Sequence, residues 1–104
     1  MSHAVTGETA LWVAASTNRL DILKLLLAQP LIDIDYANTD GLTPLMIAVH
    51  FGYLDLVEEL LSAGADLHKT DNSGMTALGI AQTKDHTQVI TLLESAYSAQ
   101  NHSP

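Results

Sequence analysis

Residues 43–52 read TPLMIAVHFG, and the order of the first three residues decides how the rest folds. The Thr43 hydroxyl can accept a hydrogen bond from an otherwise unpartnered N–H of a first helical turn, so Thr43 reads as an N-cap. Pro44 behind it loses only an N–H that has no intrahelical partner. The same outline stands earlier in the chain as TALWVAASTN (9–18) and later as TALGIAQTKD (76–85). Ala10 and Ala77 fill the proline slot at no cost in helix propensity.

The three copies agree by function as well as by letter. Leu11 and Ala14, Leu45 and Ala48, and Leu78 and Ala81 repeat an i, i+3 pair that shares one helix face, with an alanine small enough for a close neighbour. A glycine precedes each cap by two residues, at Gly7, Gly41 and Gly74, and predicts a turn with positive φ. At the far end of each short helix one slot holds Asn18, Gly52 and Asp85, the residue types that best tolerate a left-handed backbone. A second amphipathic helix follows in each copy: RLDILKLLLA from Arg19, YLDLVEELLSAGADL from Tyr53 and HTQVITLLESAY from His86. Leu54, Val57, Leu60 and Leu61 make its apolar face in the middle copy, which stops at Gly64, as the first stops at Pro30. The pattern predicts three copies of helix, turn, helix and extended loop.

The segment GLTPLMIAVHFGYLDLVEELLSAGADL (41–67) resembles the ankyrin repeat, with its 33-residue period and T-P-L-H-x-A signature. The resemblance covers about residues 7–98. It implies an all-α repeat solenoid of three stacked helix-turn-helix units with short β-hairpin-like loops: one domain over 1–104, units at about 7–40, 41–73 and 74–98, and a loose tail at 99–104. The signature histidine is replaced in every copy, by Trp12, Met46 and Gly79. In the family that histidine helps to tie neighbouring repeats together by hydrogen bonds. Gly79 inside a helix should cost about 0.5–1 kcal/mol relative to alanine, so the third unit is expected to exchange its amide protons fastest.

Composition narrows the function. Four Lys and Arg against twelve Asp and Glu give a net charge of −8. Nucleic-acid binding needs cations to displace phosphate counterions, and Arg19, Lys24, Lys69 and Lys84 form no patch, so neither nucleic acid nor an anionic membrane is expected as a partner. The chain has no cysteine, hence neither disulfide nor thiolate metal site. No signal-peptide pattern opens it and no run reaches the ~20 apolar residues of a membrane span, so the expected address is cytoplasmic.

No catalytic set can be assembled. His3, His50, His68, His86 and His102 show no i, i+3 or i+4 pair and no H-E-x-x-H, so no metal is expected. Glu58–Glu59 lies on the solvent side of an amphipathic helix and Asp33–Asp35 in a loop. There is no G-x-S-x-G elbow and no glycine cluster for phosphate. No enzyme and no cofactor are expected.

What remains is surface. The resemblance implies that contacts with a protein partner come from the hairpin tips and the exposed side of each first helix, a concave face. By repeat phase this places Glu8, Ser16 and Thr17 there from the first unit. The second supplies Tyr36, Asn38, Thr39, Asp40, Leu42, His50 and Phe51, and the third Thr70, Asn72, Ser73, Met75, Thr83 and Lys84. The candidate binding set is Tyr36, Thr39, Asp40, Leu42, His50, Phe51, Asn72, Ser73, Met75 and Thr83. Tyr36, Leu42, Phe51 and Met75 stand apart, because aromatic residues and Met are enriched in interface cores; the alternative is that each covers a neighbouring loop. Trp12 is read as packing, with partner contact as the second reading. Asp33, Asp35, Asp40, Asp66 and Asp71 fall in the loops around this set and predict a basic protein client, set against acidity that serves only solubility.

The ends differ. Glu94 replaces the leucines at 27 and 61, and Gln82 and Thr83 replace apolar or bulky residues, so the third unit reads as a polar cap. LDILKLLLA in the first unit is apolar almost all round. Either the residues before Gly7 shield it or it meets another protein. A protein-binding module is therefore the leading function, a monomer in itself. An inhibitor or immunity protein masking a basic toxin or enzyme is one alternative. A structural subunit that self-associates as a homodimer through its first unit is the other.

Overall fold

The structure, a computed structural model, describes residues 7–101. They form six helices: α1 (Gly7–Ser16), α2 (Leu20–Leu27), α3 (Pro44–Phe51), α4 (Leu54–Ser62), α5 (Ala77–Lys84) and α6 (Thr87–Asn101), with no strand among the described residues. The helices stack in two layers. α1, α3 and α5 pack in succession on one side, and α2, α4 and α6 on the other. The stack measures 46 × 29 × 22 Å. The hairpin-like loops are hydrogen-bonded turns rather than paired strands.

Each unit is set by the local chemistry of its caps. Thr43 Oγ1 accepts from the Met46 N–H at 3.3 Å, and Thr76 Oγ1 from the Gly79 N–H at 3.2 Å. Pro44 stands at the start of α3. The short inner helices then end in a left-handed residue, Asn18 (φ 59), Gly52 (φ 72) and Asp85 (φ 59). One backbone requirement is met by three side chains, as the repeat predicts.

A single apolar cluster runs through all three units. Leu11, Leu23, Leu45, Leu56, Val57, Leu60, Leu67, Val89 and Leu93 are buried in it, and Leu78 packs against it partly covered. Leu45 and Leu78 thus share one core. Burying a Leu or Val side chain stabilises by about 1.5–3 kcal/mol, and in a stack that gain exists only where a neighbouring unit covers the residue.

Two expectations need correction. Gly7 lies inside α1 and not in a turn before it, because the helix starts two residues before Thr9. The third unit does not end near residue 98: α6 continues to Asn101. Residues 1–6 and 102–104 lie outside the described residues, and with them His3, His102 and any shielding of the first unit.

The units are tied to one another without the signature histidine. Asn72 N–H donates to the Asp40 carbonyl at 3.0 Å, and Asn72 Nδ2 to the Thr39 carbonyl at 2.8 Å. His86 Nε2 lies 3.1 Å from the His50 carbonyl oxygen, and the Tyr97 hydroxyl donates to the Leu67 carbonyl. Asp66 N–H donates to Asp35 Oδ1 at 2.9 Å.

Candidate protein-binding face

The loops that carry the candidate residues are built twice to one plan. Asn38 Oδ1 accepts from the N–H groups of Asp40 and Leu42, both at 3.0 Å. At the same slot of the next loop, Asp71 Oδ1 accepts from Ser73 and Met75 at 2.8 and 3.0 Å. A short polar side chain bonded to the backbone two and four residues ahead fixes the tip as a turn. The tips Thr39–Asp40 and Asn72–Ser73 therefore project to solvent in a set shape. The loops are also pressed together: a Cβ on Gly41, whose φ is +78°, would lie 2.6 Å from Asn72 Oδ1 and 2.8 Å from Asn72 N.

Most of the loop acidity has a local task. Asp33 Oδ1 accepts from the Asp35 N–H, Asp35 Oδ1 from Asp66, Asp66 Oδ1 from His68, and Asp71 Oδ1 as above. These carboxylates stay exposed or half-exposed. Asp40, exposed at a tip, takes part through its carbonyl.

The four apolar candidates divide. Leu42 and Met75, equivalent in the repeat, are partly buried and pack against the core. Tyr36 and Phe51 are each 47% exposed. They are not neighbours in one patch, since Phe51 ends α3 while Tyr36 precedes the tip at its start, and eight helical residues at 1.5 Å separate those ends by about 12 Å.

Two small sites result. At the tip end, Trp12, Tyr36, Ala37, Asn38 and Thr39 line an open cleft of about 370 Å³. Trp12 packs on the core, and its buried Nε1 has no hydrogen-bond partner. At the other end Phe51 stacks on Tyr53 with ring centroids 5.4 Å apart, and His50 meets it edge-on at 4.9 Å. Burial first, then the charge of Lys84 and the neighbouring His86, hold the His50 imidazole below the usual histidine range. Thr83 is exposed, its hydroxyl donating to the Gly79 carbonyl. Asn72 and Ser73 are both exposed, Asn72 serving also as the clamp between loops.

Sequence reasoning missed the organising role of Asn38 and Asp71, although two short polar residues at one repeat slot were a readable signal. His86 was read as a polar helix position, whereas it packs over Gly52, where an added Cβ would meet its ring at 2.9 Å. The side chain of Glu8 lies outside the described residues. Among the described residues no group of three or more His, Asp or Glu could hold a metal ion, and no helix is long and apolar enough to cross a membrane.

Six helices in two layers, capped in one phase and joined by twin hydrogen-bonded loops, define a helical-repeat solenoid. Comparison with known proteins identifies which. Residues 1–71 and 29–103 match the family described as ankyrin repeats (3 copies), and the chain belongs to the ankyrin-repeat family. It is similar to protein phosphatase 1 regulatory subunit 12A of Rattus norvegicus, 33% identical over 95% of this chain and 9% of that protein. It is also similar to the ankyrin repeat and KH domain-containing protein mask-1 of Caenorhabditis elegans, 35% identical over 83% of this chain and 3% of that protein. Ankyrin repeat domain-containing protein 29 of Homo sapiens is 40% identical over 60% of this chain and 20% of that protein. The chain spans less than a tenth of the length of the first two. Ankyrin repeats mediate protein–protein interaction and are typically non-catalytic.

Proposed function

We propose that this chain is a non-catalytic module that binds a basic protein client on its concave face, with Tyr36, Thr39, Asp40 and Phe51 as principal contacts and His50, Asn72, Ser73 and Thr83 flanking them. The observation that carries this reading is the exposure of Tyr36 beside tips whose shape is already fixed by Asn38 and Asp71, with Phe51 exposed at the far end of α3. A prearranged surface loses little freedom on binding, and half-exposed aromatic rings are apolar area ready to be covered. Net charge of −8 with exposed Asp40 at a tip favours a basic client and a fast encounter. Leu42 and Met75 support the loops from below.

Affinity capture on immobilised chain, with Tyr36→Ala and Phe51→Ala as controls and mass spectrometry of the retained proteins, identifies the client. In the kinetics that follow, either alanine variant should mainly speed dissociation. Asp40→Asn should slow association and weaken its salt dependence. An acidic client, or association insensitive to salt between ~50 and ~500 mM, refutes the charge component. Retention unaffected by both alanine variants refutes the face.

A further inference from the structure

Repeat units cover one another, so each slot has an expected exposure that the middle and last units supply. Val13 in the first unit corresponds to Ile47 and Ile80, and Ile22 to Leu56 and Val89. The later residues are 5%, 6%, 0% and 2% exposed, whereas Val13 is 47% and Ile22 40% exposed. Ala10 behaves alike: it is half-exposed where Pro44 and Ala77 are buried. Together with Ala14, Thr17 and Arg19 these residues line a shallow apolar depression of about 440 Å³ on the outer side of α1 and α2. Leu25, one helical turn beyond Ile22, extends it at 68% exposed.

The chain itself shows what fits such a face. Between the second and third units the slots of Arg19, Asp21 and Ile22 are held by His86, Gln88 and Val89, which face Gly52 and Leu54 of the unit before. An ankyrin helix pair is thus the shape these slots are built to meet. The far end of the stack does not offer one: Gln82 stands exposed where Ala15 and Val49 are buried, and Glu94 stands exposed where Leu27 and Leu61 are half-covered. A head-to-tail contact would set apolar Val13 and Ile22 against those polar groups. A head-to-head contact sets them against their own copies.

Charge allows it. Residues 7–28 carry Glu8, Arg19, Asp21 and Lys24, a net charge of zero, whereas residues 44–62 carry Asp55, Glu58 and Glu59, a net −3. The first helix pair is thus the least acidic of the three, and two copies meet through it with the least repulsion. Both signs border the face at Arg19 and Asp21, and a two-fold contact is self-complementary, so unlike charges can meet twice. Area suffices as well. With extents of 46 × 29 × 22 Å, even the smallest face of the molecule is on the order of 600 Å² in projection, and a ridged helix pair exposes more than its projection, against roughly 800 Å² per partner in a stable complex.

We propose that the outer face of α1 and α2 is a self-association surface, through which two copies pair head to head and cover each other's Val13 and Ile22. The dimer takes up Thr17 of the concave face but none of the principal contacts Tyr36, Thr39, Asp40 and Phe51, so this inference stands apart from client binding. Sedimentation of the wild-type chain should show the mass rising from 11.1 kDa towards twice that value across ~1–500 µM, the concentration dependence of a linked equilibrium. Added salt should tighten it, because screening relieves repulsion between two chains of −8; client binding should respond in the opposite sense. Ile22→Lys and Val13→Lys, both at exposed positions, should stay helical by circular dichroism and remain monomeric throughout. Amide exchange in α1 and α2 of the wild type should slow as concentration rises, a readout that needs no variant. A wild-type monomer at every concentration overturns the proposal. So does a dimer that survives both lysine variants, or one abolished by Phe51→Ala instead.

Discussion

Ala15 and Val49 are fully buried, and at the same slot the third unit presents Gln82 to water. Val13 and Ile22 at the opposite end keep apolar side chains that their counterparts bury. One repeat has been finished by substitution at its last unit and left unsubstituted at its first. Since the helices, caps and turns at the two ends follow one plan, the difference is not one of fold. A solenoid's ends are specified separately from its interior, by a few side chains on the outermost faces, and an end left apolar is open to a further helix pair.

The largest test of this contrast acts on the paired loops that lie between the two ends. Gly41→Ala puts a Cβ within 3 Å of Asn72 in a backbone at φ +78°, and strain of this kind costs about 1–3 kcal/mol before the clash is counted. Denaturant unfolding should show a loss of about 2 kcal/mol or more, large for one methyl group. A loss below about 0.5 kcal/mol, the range of an ordinary surface substitution, means the two loops are not held against each other.

The second erases the difference between the ends. Gln82→Val with Glu94→Leu restores the apolar slots of the third unit, and each exposed side chain then gains about 1.5–3 kcal/mol on being covered. With two open ends the chain should form species larger than a dimer by light scattering. If it keeps the wild-type mass, polar substitution is not what closes that end.

Next in size is Gly79→Ala. A Cβ there would make ordinary contacts with Met75 Cε at 3.5 Å and Thr76 Oγ1 at 3.6 Å, so only the helical gain of about 0.5–1 kcal/mol remains. Amide exchange in α5 should slow while α1 is unchanged. Equal slowing in both units would mean that the stack opens as one.

The smallest concerns pH. His50 is held below its ordinary value of 6.5 by burial, Lys84 and His86. The unfolded chain therefore takes up this proton first as pH falls, and the folded state loses stability from about pH 6.5 down through the lowered value. His50→Gln should flatten that part of the stability profile, an effect kept small by solvent screening at this half-exposed position. A profile unchanged by the substitution removes His50 as its source.

Period, caps and helix pairs were legible because each is a local demand answered at a fixed spacing. Thr43 and Thr76 cap, and Asn18, Gly52 and Asp85 turn left-handed, whatever surrounds them. Which candidate surface residues stay exposed was legible only in outline. Leu42 and Phe51 look alike as apolar residues at solvent-phase slots, and only packing separates the one set against the core from the one that stays exposed. The loop aspartates illustrate a further limit, because a carboxylate that organises a turn and one that attracts a partner are the same letter. Gly7 was misplaced since a helix start depends on the chain before it, which a repeat slot does not specify.

The hydrogen bonds between units have a mechanical consequence through where they sit. Among the described residues, those reaching back to the first unit lie in the loops: Asp66 to Asp35, and Asn72 to Thr39 and Asp40. Those holding the third unit include His86 to the His50 carbonyl, at the opposite ends of the inner helices, and Tyr97 to the Leu67 carbonyl. A joint fastened along one edge turns about that edge. Bending should therefore open the helix side of the first joint while its loops stay fastened, and the first unit should swing like a leaf on a hinge. The second and third units, pinned away from the loop edge as well, should move as one plate.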